Sequence, residues 1–181
     1  MNQKIETLVE KLYECNQHKQ KITIAAKQLE TLMPLDINRY NKLNIDESSF
    51  VDQMIFRFSK LQDTMGEKLF PSLLEILGEE VKSKSYIDRL NRIEELGIID
   101  KSEWMRLRKE RNEIAHEYSF NKDEVVDGIN TIYEVKNELL SIYDVFYKYC
   151  YEKFDFIRKS KVLENTTEEI ETIKEDKKFS S

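Results

Sequence analysis

Residues 5–32 read IETLVEKLYECNQHKQKITIAAKQLETL, and in them Ile5, Leu8, Val9, Leu12, Cys15, Ile22, Ala25, Ala26, Leu29 and Leu32 recur three and four positions apart. That is the period of one face of an α-helix, interrupted once by the polar run from Asn16 to Lys21. A stripe this long needs other helices to cover it. The rest of the chain supplies them. Phe50, Phe58, Leu61, Met65 and Leu69 predict a second helix, broken or kinked at Pro71, whose apolar face continues through Leu73, Leu74 and Leu77 to Gly78. Between the two, residues 33 to 49 lose the pattern and read as an irregular connection, with Pro34 disfavouring helix at Met33.

A shorter helix is predicted from Ser85 to Leu96, with Tyr86, Ile87, Leu90 and Ile93 inward and Gly97 placed for a left-handed C-terminal cap. Asp100 and Glu103 have the spacing of a capping box and open a helix that holds Trp104, Leu107, Ile114 and Ala115. Asn121 with Glu124 repeats that spacing and opens the last helix, from Val125 through Ile129, Leu139, Tyr143 and Phe146 to about Arg158. Four Gly and two Pro in 181 residues, with a charged fraction of 35% rich in Glu and Lys, agree with helix throughout. The expected fold is all-α: one antiparallel bundle of four main helices plus a short one over residues 1–158. Residues 159–181 are expected to form a charged tail, frayed or disordered.

A formal charge of −6 and a pI near 5.2 argue against a chain that coats nucleic acid non-specifically, so any RNA contact has to be local. Cys15 and Cys150 form no CxxC pair and no Cys/His cluster at metal-ligand spacing, which points to a reducing compartment and to neither metal nor cofactor. With no signal-like or membrane-spanning apolar run, a soluble cytoplasmic protein is expected, without membrane contact.

Chemistry concentrates in Arg108-Lys109-Glu110-Arg111-Asn112-Glu113-Ile114-Ala115-His116-Glu117-Tyr118. His116 is the one group there whose ordinary pKa lies near neutrality. At about 100° per residue, Arg111, Ile114, Ala115 and Tyr118 share one stripe and Arg108, Asn112, His116 and Ser119 a neighbouring one, which sets Arg111 and His116 about 140° apart. Two copies packed about a twofold axis would bring four such side chains around one groove. His18, beside Gln17 and Lys19, reads as a surface residue. Tyr133, Tyr143, Phe146, Tyr147, Tyr149 and Tyr151 read as core or as a dimer surface.

Arg111-Asn112-x-x-x-His116-x-Tyr118, ahead of a final long helix in an acidic all-α chain, resembles the R-x4-H-x-Y signature of the HEPN superfamily, most closely its HepT-like branch. The likeness covers roughly residues 1 to 155. It implies a HEPN-like fold and a metal-independent endoribonuclease toxin acting as a homodimer, with its cleft between the two motif helices. It further implies a minimal nucleotidyltransferase antitoxin that adenylylates the motif tyrosine, here Tyr118. Arg111 and His116 would then be catalytic and Asn112 the polar residue that follows the Arg. Arg108, from its place in the basic run, is a candidate supporting or substrate-binding residue, against the commoner role of a solvated face that it shares with Lys109. Glu110, Glu113 and Glu117 depart from a site built for a polyanion.

Metal-free RNA cleavage needs a base for the 2′-hydroxyl, a cation on the pentavalent phosphorane and an acid for the 5′-oxygen. His116, Arg111, Asn112 and Tyr118 provide groups of those kinds. Other readings stay open: a helical adaptor for a nucleotidyltransferase in which Arg111, Asn112 and His116 hold a nucleotide phosphate, or a dimeric scaffold with no nucleic-acid role in which the motif satisfies an interhelical polar network; for Arg111 alone the plain alternative is an ion pair with a glutamate one turn away.

Overall fold

Leu8, Leu12, Cys15, Ile22, Ala25 and Leu29 are fully buried along α1 (Gln3–Leu29), so the first stripe is the spine of the core. The computed structural model describes residues 3–114 and 120–164, and among these helix is the only regular structure. After α1 come α2 (Ile37–Asn41), α3 (Ile45–Thr64), a single π turn (Met65–Leu69), α4 (Phe70–Ile76), α5 (Tyr86–Glu95), α6 (Lys101–Ile114), α7 (Lys122–Lys153) and α8 (Asp155–Arg158). The α3–π–α4 run is continuous, so four main helices and the shorter α5 make up the bundle, with α2 and α8 as brief additions. Side-chain pairings give the directions. Glu14 meets Thr64 and His18 meets Arg57, so α1 and α3 are antiparallel. Arg106 meets Glu138 and Ile114 meets Gly128, so α6 and α7 are antiparallel too.

The π turn is how the helix carries Pro71 without ending. A proline lacks the N–H, and its ring collides with the carbonyl four residues back; one extra residue in the preceding turn, with Phe70 N–H donating to the Met65 carbonyl, takes up that ring. The expected break at Pro71 is thus a local widening. Gly97 has φ +74, and its neighbours close the cap, with Ile98 N–H donating to the Ile93 carbonyl at 3.3 Å and Gly97 N–H to Glu94 at 2.8 Å.

Residues 33 to 49 are not an irregular connection. Asp36 accepts from Arg39 N–H at 2.8 Å and starts α2, and Asn44 with Glu47 forms a reciprocal box that starts α3 five residues before Phe50. The Asn130 side chain on α7 bonds both the N–H and the carbonyl of Leu35 at 2.8 Å, so α7 holds the segment in place. At the other end, α7 stops at Lys153. Phe154 turns extended, and the Arg158 guanidinium donates to the Tyr151 and Glu152 carbonyls left open by the helix end. Leu163 is buried, so packing continues past the expected boundary at 158. The tail beyond Glu164 lies outside the described residues.

The polar run in α1 is part of the core rather than a gap in it. Tyr143 on α7 is fully buried, with its Oη 2.6 Å from Asn16 Oδ1 and 3.0 Å from the Leu12 carbonyl. Of the other α7 aromatics, Phe146 is buried and Tyr151 is exposed. His18 is only 6% exposed, against the expected surface position, because the i,i+4 turn places it between Glu14 and α3. Arg57 Nη1 lies 3.2 Å from its Nδ1, and Glu14 Oε1 is 3.6 Å from its Nε2.

Burial, then the Arg57 charge and more weakly Lys60, hold this imidazole below its ordinary value of 6.5, with Glu14 opposing them. The fold therefore favours the neutral ring, and the unfolded chain takes up the proton first. This contribution to stability is complete above 6.5 and is lost as pH falls through the lower folded value. Thermal melts at about pH 7 and about pH 5 are expected to show a drop in Tm on acidification. The drop should shrink in His18→Gln, and an equal drop in both proteins would assign it to other groups.

Candidate functional site

Helix α6 carries the motif, and its inner stripe is Trp104, Leu107, Arg111 and Ile114. Asp100 accepts from Glu103 N–H at 2.8 Å and fixes its start. Trp104 fixes its rotation: the indole is fully buried, its ring centroid lies 4.9 Å from that of Phe70, and Nε1–H donates to Tyr86 Oη at 2.9 Å. Gly66 in the π turn permits this, since a Cβ there would fall 2.8 Å from Tyr86 Oη and 3.3 Å from the Trp104 ring. At the far end Ile114 seats on Gly128, where a Cβ would come within 2.9 Å of it. The helix is thus anchored at its start, its middle and its last turn.

Arg111 is the charged member of that inner stripe. Its guanidinium forks onto Asp63 of α3, Nη2 to Oδ1 at 2.8 Å and Nη1 to Oδ2 at 3.4 Å, with 19% of the side chain exposed. Its partner is therefore an aspartate on a different helix, not a glutamate one turn away. The nearby glutamates are engaged otherwise: Glu110 pairs with Arg106 at 2.9 Å, and Glu113 is 3.8 Å from Lys109. Among the described residues two buried polar groups lack hydrogen-bond partners here, one on Arg111 itself and one on the sequence neighbour of Asp63. Arg111 Nε is buried and unbonded, and Gln62, next to Asp63 and 2% exposed, has neither amide atom bonded.

Arg111 also lines a wide groove between α2, α3, the end of α6 and the start of α7. Its described walls carry Asp52, Glu110, Glu113, Glu124 and Asp127 against two cations, Arg111 and Lys122, so the field there is negative. Arg108 and Asn112 occupy the neighbouring, solvent-facing flank of α6, as the helical spacing predicts. Arg108 lies over the Tyr86 ring at 4.4 Å, and Asn112 is exposed at a shallow depression with Met105 and Lys109. The structure does not bring Arg111 and Asn112 to one point within a single chain.

His116 and Tyr118 lie outside the described residues, as does Glu117. Asp63 and Gln62 are site residues that the sequence reading does not single out. The signal for them is the polar triplet Gln62-Asp63-Thr64, whose Gln62 falls four positions after Phe58 on the apolar stripe of Phe58, Leu61 and Met65, a place where a polar side chain needs a partner from another element. Among the described residues no group of three or more His, Cys, Asp or Glu is disposed to hold a metal, and no helix is long and apolar enough to cross a membrane. No protein-family model, curated protein or solved structure matches the chain.

Proposed function

We infer that this protein is a metal-independent endoribonuclease of the HEPN kind, with Arg111 and His116 as its catalytic pair. The observation that carries the reading is the placement of Arg111: an inward-turned, two-point-anchored guanidinium at the last turn of α6, lining a groove, five positions ahead of the motif histidine. Asp63 takes one N–H from each Nη, which leaves the guanidinium its second Nη hydrogens and its fixed positive charge to stabilise the charge that grows on the non-bridging oxygens as the phosphorane forms. In this mechanism His116 removes the 2′-hydroxyl proton, and the 2′-oxygen attacks phosphorus. The 5′-oxygen leaves with a proton from His116 of a second copy, and the product ends in a 2′,3′-cyclic phosphate. Arg108 and Asn112 face away from the groove on their own chain, so they join the site only if two motif helices pack together. The reading therefore includes a homodimer. A nucleotidyltransferase antitoxin modifying Tyr118, and a cytoplasmic location, complete it.

Incubation of several single-stranded RNAs with the protein in EDTA tests this. Wild type is expected to cut RNA and leave cyclic phosphate ends while sparing DNA, and His116→Ala is expected to leave the RNA intact. RNA that survives intact with wild type removes the catalytic reading.

One observation favours a second function. Five carboxylates on the groove wall repel a polyanion and suit a basic protein surface, as a non-catalytic helical partner of a nucleotidyltransferase would present. In that case the groove binds protein, and RNA incubated with wild type stays uncut.

A further inference from the structure

In a chain where acidic side chains outnumber Lys and Arg by 35 to 29, Arg92, Arg106, Arg111 and Arg158 each pair with a carboxylate. Arg39 donates instead to the Leu32 and Pro34 carbonyls, and Arg57, over the Phe56 ring, lies against His18; Arg89 on α5 and Arg108 on α6 have no partner of either kind among the described residues. Among the described residues neither guanidinium makes an ion pair or a hydrogen bond, and both lie over one aromatic ring, Tyr86, with guanidinium carbons 5.9 Å and 4.4 Å from its centroid. Arg89 Nε is moreover buried with no hydrogen-bond partner among the described residues.

The ring beneath them is fixed. Tyr86 Oη accepts from the buried Trp104 indole at 2.9 Å, and it sits where Gly66 leaves room that a Cβ would fill. A guanidinium on an aromatic face spends its attraction through the plane and keeps its N–H edge for an in-plane acceptor. Two such edges on one immobile platform suit a phosphate better than a carboxylate of the chain itself, none of which, among the described residues, reaches them. Arg108 is also three residues before Arg111 on the adjoining flank of α6, about 4.5 Å along the axis. That flank joins the site when two motif helices pack together, so a strand bound in the cleft of such a dimer extends over this platform.

We propose that Arg89 and Arg108, gathered over the Tyr86 ring, form a phosphodiester-binding subsite that holds the RNA strand beside the cleavage centre. The identity of the ligand rests on the ribonuclease reading; the anion-binding geometry does not. Because phosphate contacts position a strand without reading its bases, the subsite sets affinity and salt dependence rather than sequence preference.

The test is fluorescence anisotropy of a labelled single-stranded 2′-O-methyl RNA, which keeps the phosphates and cannot be cut, titrated with the full chain at several salt concentrations. The double variant Arg89→Gln/Arg108→Gln is expected to bind on the order of tenfold more weakly at low salt, with the slope of log affinity against log salt reduced by about 1.4. Equal affinity and slope in the double variant overturn the subsite, as does a wild type that binds no RNA. Cleavage of ordinary RNA is measured alongside. Binding that depends on the two arginines without any cleavage removes the ribonuclease reading and leaves the subsite, and cleavage with binding indifferent to them does the reverse.

Discussion

Trp104→Ala is expected to destabilise the protein by about 3–5 kcal/mol, a large share of the stability of any single domain. The indole is fully buried, and no shift of neighbours fills the space, because Phe70 and Tyr86 are themselves held by the π turn and the α5 cap. The substitution removes apolar burial, opens a cavity and strips Tyr86 Oη of its donor. Trp104→Phe keeps most of the volume and loses the N–H, and should cost about 1–2 kcal/mol. Urea denaturation with the midpoint and slope both fitted measures each. A loss below about 1 kcal/mol in the alanine variant would mean that α6 is not anchored through Trp104.

Periodicity makes the helices legible because the chain buries regular stripes: Leu8, Leu12 and Leu29 on α1 and Leu139 and Phe146 on α7 are buried where the spacing puts them. Capping chemistry marks ends just as directly. Asp100 and Ser85 cap the helices predicted at those positions, and Gly97 takes the left-handed conformation its place requires. What escapes a local reading depends on another element. Residues 33 to 49 read as irregular although Asn44 and Glu47 carry the same box spacing as the other helix starts; what no local reading gives is that α7 sends Asn130 to hold Leu35. His18 reads as solvent-facing because its neighbours Gln17 and Lys19 are polar, yet the side chain turns under Arg57 from α3.

The site is legible only in part, for the same reason. The motif gives Arg111 and the flank shared by Arg108 and Asn112, since both follow from α6 alone. Asp63, 48 residues away, becomes its partner through packing of α3 on α6. A polar residue in an apolar helical run signals that a partner exists, without saying which.

That pair makes the sharpest functional prediction. Arg111→Ala is expected to reduce RNA cleavage on the order of 10²–10³-fold, the scale of removing one donor that stabilises a charged transition state. Its stability is expected to fall by only about 1 kcal/mol, because the ion pair is partly exposed and its screening limits what it contributes. Arg111→Lys keeps the charge and loses the fork, so it should recover only a small part of the rate. Asp63→Asn is the contrasting case. It keeps the shape at α3 and removes the charge that holds the guanidinium, so cleavage should fall on the order of tenfold through misplacement, while the reacting groups stay present. The two effects should not multiply in the double variant, since Asp63 acts only through Arg111. A purely structural pair would behave differently: either single variant, and the double, would then lower Tm and activity together and equally. The ratio of activity loss to stability loss, large for Arg111→Ala and small for Asp63→Asn, therefore separates a phosphate-binding arginine from one that only joins α6 to α3.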